Sequence, residues 1–187
     1  MIPVGLPSRR SLRLPDYDYR DPGVYFFTIC SHGRRCTFGR IVALNMQLNH
    51  SGKIVWQCWR DLPRHFPSVQ LDQFIVMPNH VHGLLALHKR SNGRAGLRPA
   101  PTVSNDKGPH LANVIGALKS FSARQINRQR GTPGTAVWQR NYFERVVRSG
   151  DELAAIQHYI DENPMRWASD RENSAVFAAI DTAPWKA

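Results

Sequence analysis

His80-Val81-His82 is the stretch where residue type and spacing point most directly to chemistry. On a β-strand, residues i and i+2 project to one face. Two imidazoles would therefore stand together while Val81 points the other way into the core. Neutral imidazole is a common ligand for divalent transition metals. A second pair lies far along the chain: Tyr159 and Asn163 are four residues apart, which on a helix stacks them on one face. A phenol can act as a covalent nucleophile, and an amide oxygen can be a third metal ligand. Each residue alone has a plainer explanation. The histidines can be polar residues on a solvated strand face, and Tyr159 a core aromatic. Asn163 can be a helix C-cap before Pro164.

The elements that must position these groups can be read in outline. Val24 to Cys30 is a near-continuous apolar run of β-branched and aromatic residues, the pattern of a central strand. Residues 36–49 have room for a short hairpin. Ile54, Val55, Cys58 and Trp59 share a helical face over about 51–61, and Pro63 is expected to stop that helix. Phe74 to Met77 and Val81 to Leu87 read as antiparallel strands joined at Pro78-Asn79. Residues 89–109 are rich in Gly, Pro and polar residues and read as a mobile loop inside the domain. Helical periodicity returns over 110–129 through Leu111, Val114, Ile115, Leu118, Phe121 and Ile126. A strand around Arg145-Val146-Val147 follows. A last helix opens with Ser149 and Glu152 at capping-box spacing, continues through Leu153, Ile156, Tyr159 and Ile160, and is expected to end at Asn163-Pro164. This order predicts an α+β sandwich with helices on one face of an antiparallel sheet. Residues 1–22 form a basic, proline-interrupted lead-in, 23–170 a single domain, and 171–187 a C-terminal tail.

Composition sets the surroundings. The chain has 187 residues with 25 Lys+Arg against 14 Asp+Glu, a formal charge of +11. With 42% hydrophobic residues this is a folded domain rather than a basic tail. Such a surplus suggests a polyanionic partner, nucleic acid or an anionic membrane. No apolar run approaches the roughly 18 residues of a spanning helix, and residues 1–13 lack the apolar stretch of a secretory signal. Three cysteines without CxxC spacing read as reduced thiols of a cytoplasmic protein. From 119 to 148, Lys119, Arg124, Arg128, Arg130, Arg140, Arg145 and Arg148 face Glu144 alone, a candidate phosphate-binding set. Trp138 and Phe143 are candidates for stacking on unpaired bases, or for the core.

The motifs carry a family resemblance. Met77-Pro78-Asn79-His80-Val81-His82-Gly83-Leu84-Leu85 resembles the HUH motif of the single-tyrosine transposases. A second block, residues 137–148 (VWQRNYFERVVR) followed by His158-Tyr159-Ile160-Asp161-Glu162-Asn163-Pro164, matches in the same order. Together they resemble the REP-associated tyrosine transposases. The resemblance implies a ferredoxin-like fold and a nickase of single-stranded or hairpin-bearing DNA. It maps His80 and His82 onto ligands of Mg2+ or Mn2+, Asn163 onto the third ligand and Tyr159 onto the nucleophile. Tyr142 is the rival nucleophile and Glu162 an alternative ligand. Arg9 and Arg10, with Arg13, become candidates for reaching a hairpin, and the protein is expected at the nucleoid, as monomer or homodimer.

The implied chemistry is attack of Tyr159 on a phosphodiester, leaving a 5′-phosphotyrosine and a free 3′-OH. With one tyrosine, strand transfer needs a second subunit, a second round or an outside 3′-OH. Two other classes remain open on the residues: a nucleic-acid-binding module without catalysis, and an unrelated metal hydrolase built on HxH. The amidohydrolase barrel, typically about 250 residues, is too long for this chain.

Overall fold

The computed structural model describes residues 18–19, 21–89, 109–170 and 172–173. Most of the lead-in (with Arg9 and Arg10), of the 89–109 loop and of the 171–187 tail lies outside the described residues. The expected first strand is β1 (Gly23–Cys30). A hairpin follows, β2 (Gly39–Val42) and β3 (Asn45–Leu48), then helix α1 (His50–His65). β4 (Val69–Val76) and β5 (His80–Leu87) flank the Pro78-Asn79 turn. Helix α2 (Leu111–Arg130), strand β6 (Phe143–Val147) and helix α3 (Gly150–Arg166) complete the order.

Four strands form one antiparallel sheet in the order β4-β5-β1-β6. β1 is central, as its apolarity implied. Its alternation sorts residues between two layers. Tyr25, Phe27 and Ile29 join Val81, Leu85 and Leu87 of β5 in the main core, with Val55, Trp59 and Leu62 of α1 and Val114, Ile115 and Leu118 of α2. Phe26 and Leu84 point the other way, to Ile160, Leu153, Ile156 and Tyr159 of α3. The expected α+β class with an antiparallel sheet is therefore present, with one refinement of its layering. α1 and α2 cover one face, and α3 covers the other. The cause is legible in β1 and β5: strands apolar on both faces need cover on both.

Two boundaries differ from expectation. α1 runs through Pro63 to His65, and α3 through Pro164 to Arg166. Each proline lies in a final turn. There its fixed φ suits the helix, and the missing N–H costs one hydrogen bond rather than the whole helix. The N-termini follow the sequence signals. The Asn49 side chain accepts from Gly52 N, and Ser149 from Glu152 N, while the Glu152 carboxylate reaches back to Arg148 N. α2 ends at Gly131 with φ +65°, the left-handed cap that glycine adopts without strain.

Candidate active site

The register of β1 against β5 sets His82 opposite Thr28 and His80 opposite Cys30, on the face that α3 covers. His80 and His82 are both buried, and their Nε2 atoms lie 3.0 Å apart. The Tyr159 hydroxyl is 3.3 Å from His82 Nε2. Phe26 packs against both, its ring 5.5 Å from His82 and 6.3 Å from Tyr159. Asn163, one helical turn beyond Tyr159, is 1% exposed, and its Oδ1 makes no hydrogen bond. The four side chains singled out by spacing thus converge at the end of β5, beneath α3. Gln73 Nε2 bonds Asp161, and Gln157 Nε2 bonds both Asp72 carboxylate oxygens, so α3 is tied to the edge strand β4 beside them.

The tautomer of His80 follows from its neighbour. Both amide hydrogens of Asn79 have acceptors: Nδ2 donates to Arg34 O at 3.1 Å and to Glu172 O at 2.5 Å. Asn79 Oδ1 therefore faces His80 Nδ1, at 2.9 Å, and must accept from it. That leaves His80 Nε2 as a bare lone pair aimed at His82. His82 Nδ1 lies 2.8 Å from Thr28 Oγ1, which can accept from it as readily as donate. A bond to the ring nitrogen remote from a metal fixes a ligand histidine's orientation.

Burial, opposed by the Asn163 amide and reinforced by the Arg34 charge, pushes the His80 pKa down to about 3. Burial and the adjacent His80 hold His82 well below the ordinary range. Both rings are therefore neutral near pH 7, the form that binds metal. Burial, then the Asp170 charge, raises the Tyr159 phenol above its usual value, so its proton must be removed with help.

The donor set suits a divalent cation. The two Nε2 atoms, 3.0 Å apart, match neighbouring positions of an octahedral ion with ligands at about 2.1 Å once His82 carries its proton on Nδ1, toward Thr28 Oγ1. A buried amide oxygen without a partner is costly unless something meets it. His80, His82 and Asp170 offer ligand atoms all within 4.8 Å of one another.

The other candidates sit elsewhere. Tyr142 packs against the α1–α2 core, on the far side of the sheet from the histidine pair. Glu162 is engaged by His158 and Arg166. Lys119 donates from Nζ to Gln139 O and Arg140 O, both at 2.8 Å, so it clamps the segment before β6. Arg124 lies over the Phe121 ring, and Arg128 and Arg140 are exposed. Arg145 pairs with Glu152 at 2.5 Å, and Arg148 is exposed at the end of β6. These cations are spread over α2, the segment after it and β6, and are not gathered around His80. Trp138 is buried, its indole N–H donating to Ser122, and Phe143 packs beside Phe26.

Sequence reading passed over Thr28, Asn79 and Asp170. Thr28 is the one aliphatic hydroxyl in an apolar strand, and Asn79 adjoins the first histidine; both were visible signals. Asp170 follows α3 with no periodicity to mark it. Glu172 lies beyond the boundary expected at 170, yet it bonds Arg34, Cys30 and Asn79.

No protein-family profile matches the sequence. An uncharacterised Haemophilus influenzae protein is 36% identical over 170 residues, spanning 90% of this chain and 94% of the relative. A second Haemophilus influenzae protein, provisionally described as a REP-associated tyrosine transposase, is 25% identical over 150 residues, 80% of this chain and 74% of that one. Among solved structures, a REP-associated tyrosine transposase bound to a REP hairpin superposes with a TM-score of 0.52 at 16% identity. It covers 87% of this chain and 74% of that one, a likeness of fold. The two motif blocks, the converging side chains and these relatives together make the chain similar to the REP-associated tyrosine transposases.

Proposed function

We propose that this protein cuts and rejoins one strand of DNA, with Tyr159 as nucleophile and single-stranded or hairpin-bearing DNA as substrate. The observation that carries the reading is the Tyr159 hydroxyl 3.3 Å from His82 Nε2, beside a histidine pair held as neutral ligands. His80, His82 and Asn163 would hold Mg2+ or Mn2+. When bound, the ion supplies a Lewis acid that polarises the scissile phosphate and favours the phenolate. The mixed nitrogen and oxygen set suits Mn2+ better than Mg2+.

The chain's own residues do the rest. Tyr159 Oη forms a bond to phosphorus as the P–O3′ bond breaks. The net proton movement is from the phenol to the departing 3′ oxygen. The product is a 5′-phosphotyrosine and a free 3′-OH, and attack by a 3′-OH reverses the step without ATP. Phe26 packs on the tyrosine and His82 rings, and the ties from β4 to α3 hold the helix that carries Tyr159. Arg124, Arg128, Arg140 and Arg148, with Arg9 and Arg10, would bind phosphates, which makes affinity fall with salt. The transposase of like fold solved with a REP hairpin supports the hairpin as ligand. Action on chromosomal DNA would place the protein at the nucleoid.

Incubation with a hairpin-bearing single strand and Mn2+, followed by denaturing electrophoresis, tests the proposal. A band of protein joined to the 5′ end is expected from the native chain and from Tyr142→Phe, and none from Tyr159→Phe. An adduct from Tyr159→Phe would overturn the assignment. Salt-sensitive binding with no adduct from any form would return the non-catalytic binding module.

A further inference from the structure

We infer that Asp170 is a fourth protein ligand of the same cation, the single anionic group in an otherwise neutral set. The inference rests on the metal-dependent reading above and extends it to a residue outside α3.

Asp170 is half-buried as a residue but its side chain is only 8% exposed, and its Oδ2 lies 3.9 Å from His80 Nε2. Which nitrogen it addresses decides its role. A carboxylate that merely orients a ligand histidine bonds the nitrogen remote from the metal. In His80 that nitrogen is Nδ1, and Asn79 already occupies it at 2.9 Å. Asp170 faces the other nitrogen, the one left with a bare lone pair. Its two oxygens are also divided: Oδ1 accepts from Glu172 N at 2.7 Å, while Oδ2 is the oxygen turned to the histidines.

The segment carrying Asp170 is pinned rather than loosely draped. Glu172 pairs with Arg34 at 2.7 Å and accepts from the Cys30 thiol at 3.1 Å. Its carbonyl takes the Asn79 amide at 2.5 Å, and Asn173 Nδ2 donates to Trp167 O at 2.9 Å. Arg34, paired with Glu172, also acts on the Asp170 carboxylate through its charge. Asn79 performs two tasks at once, setting the His80 tautomer and holding the chain that delivers Asp170.

Charge supplies the reason for a fourth ligand. Two imidazoles and an amide bring no negative charge, whereas Mg2+ and Mn2+ seek oxygen donors and are held largely by charged ones. A buried carboxylate, for its part, is costly without a cation to meet it. The orphaned Asn163 Oδ1 in the same site points to the same missing partner.

Mn2+ binding to the whole protein, without DNA, tests this through the paramagnetic resonance signal of free Mn2+. Asp170→Asn keeps the shape and the bond from Glu172 N. It should weaken Mn2+ binding about 10–100-fold, the size seen when a metal site loses a supporting group. Binding of Co2+, which leans more on imidazole, should fall less. Asp170→Ala should behave alike, with circular dichroism checking that both variants fold. His80→Ala, the control for the site itself, should abolish binding. If the native chain binds Mn2+ and His80→Ala does not, but both Asp170 variants bind as the native chain does, the inference fails and the metal site stands. No Mn2+ binding by the native chain would remove the metal from the proposed function, and this inference with it.

Discussion

The two faces of the sheet differ in kind although the same strands build them. Toward α1 and α2, β1 and β5 present Tyr25, Phe27, Ile29, Val81, Leu85 and Leu87, all at most 1% exposed. Toward α3 they present Phe26, Thr28, His80, His82 and Leu84, where a small apolar cluster surrounds a polar pocket. One face holds the fold together, and the other spends part of its burial on imidazoles whose desolvation opposes stability. The lesson is that period-2 alternation lets one strand brace a site from behind. Val81 anchors β5 in the main core while its neighbours on either side face Tyr159.

If the faces are separable, substitutions on each should move different measurements. The largest effect is expected on the α3 side. His82→Ala should lower the rate of protein–DNA adduct formation by on the order of 10³-fold or more, the scale of losing several kcal/mol of metal assistance. Its thermal midpoint should change less than that of a core truncation. Equal damage to stability would mean that His82 is chiefly a packing residue.

The converse test is Leu85→Ala. Leu85 is fully buried among α1, α2 and β1 residues, so truncation should cost about 2–5 kcal/mol. Denaturant unfolding would measure the loss. Adduct yield per folded molecule, below the melting range, should stay near native. A collapse of adduct yield in folded protein would show that the faces are coupled.

Gly83 sharpens the contrast within the motif. It adjoins His82 yet faces the opposite layer, where an added Cβ would sit 2.4 Å from Phe27 Cζ. Phe27 is fully buried and packed on Trp59, so its ring has little room to yield. Gly83→Ala should cost about 1–3 kcal/mol by overpacking, read from the unfolding midpoint. A neutral result would show that the main core is looser than its burial implies.

These residues also show what the sequence made legible. His80 and His82 sharing a face needed only the strand period, and Tyr159 with Asn163 only the helix period. The capping box at Ser149 and the central character of β1 were local signals of the same sort. Three features were not local. The placement of α3 on the far face depends on which strand surface has apolar area left to cover. Proline predicts helix ends, but in a final turn the loss of one hydrogen bond did not outweigh the packing of Leu62 or Ile160. Asp170 reaches the histidines through bonds from Asn79, Arg34 and Cys30, residues between 91 and 140 positions away in the chain, which no spacing rule encodes.

The smallest effect is expected away from both faces, in the β2–β3 hairpin. Val42 pairs with Asn45, leaving a two-residue loop of Ala43 and Leu44. Both have positive φ, 46° and 61°, as a type I′ turn requires, but neither is the Asn or Gly that such turns favour. A Cβ in this conformation costs roughly 1–2 kcal/mol. Leu44 is 60% exposed, so little packing offsets that strain. Leu44→Gly should relieve it, while the greater freedom of glycine in the unfolded chain takes back about half. The net gain should be about 0.5–1 kcal/mol, raising the melting temperature by roughly 1–4 °C for a domain of this size. Adduct formation should be unaffected if the hairpin serves only the fold. A drop in adduct yield or hairpin-DNA affinity with unchanged metal binding would instead make Leu44 a contact to the nucleic acid, and the strain of its turn the cost of presenting it.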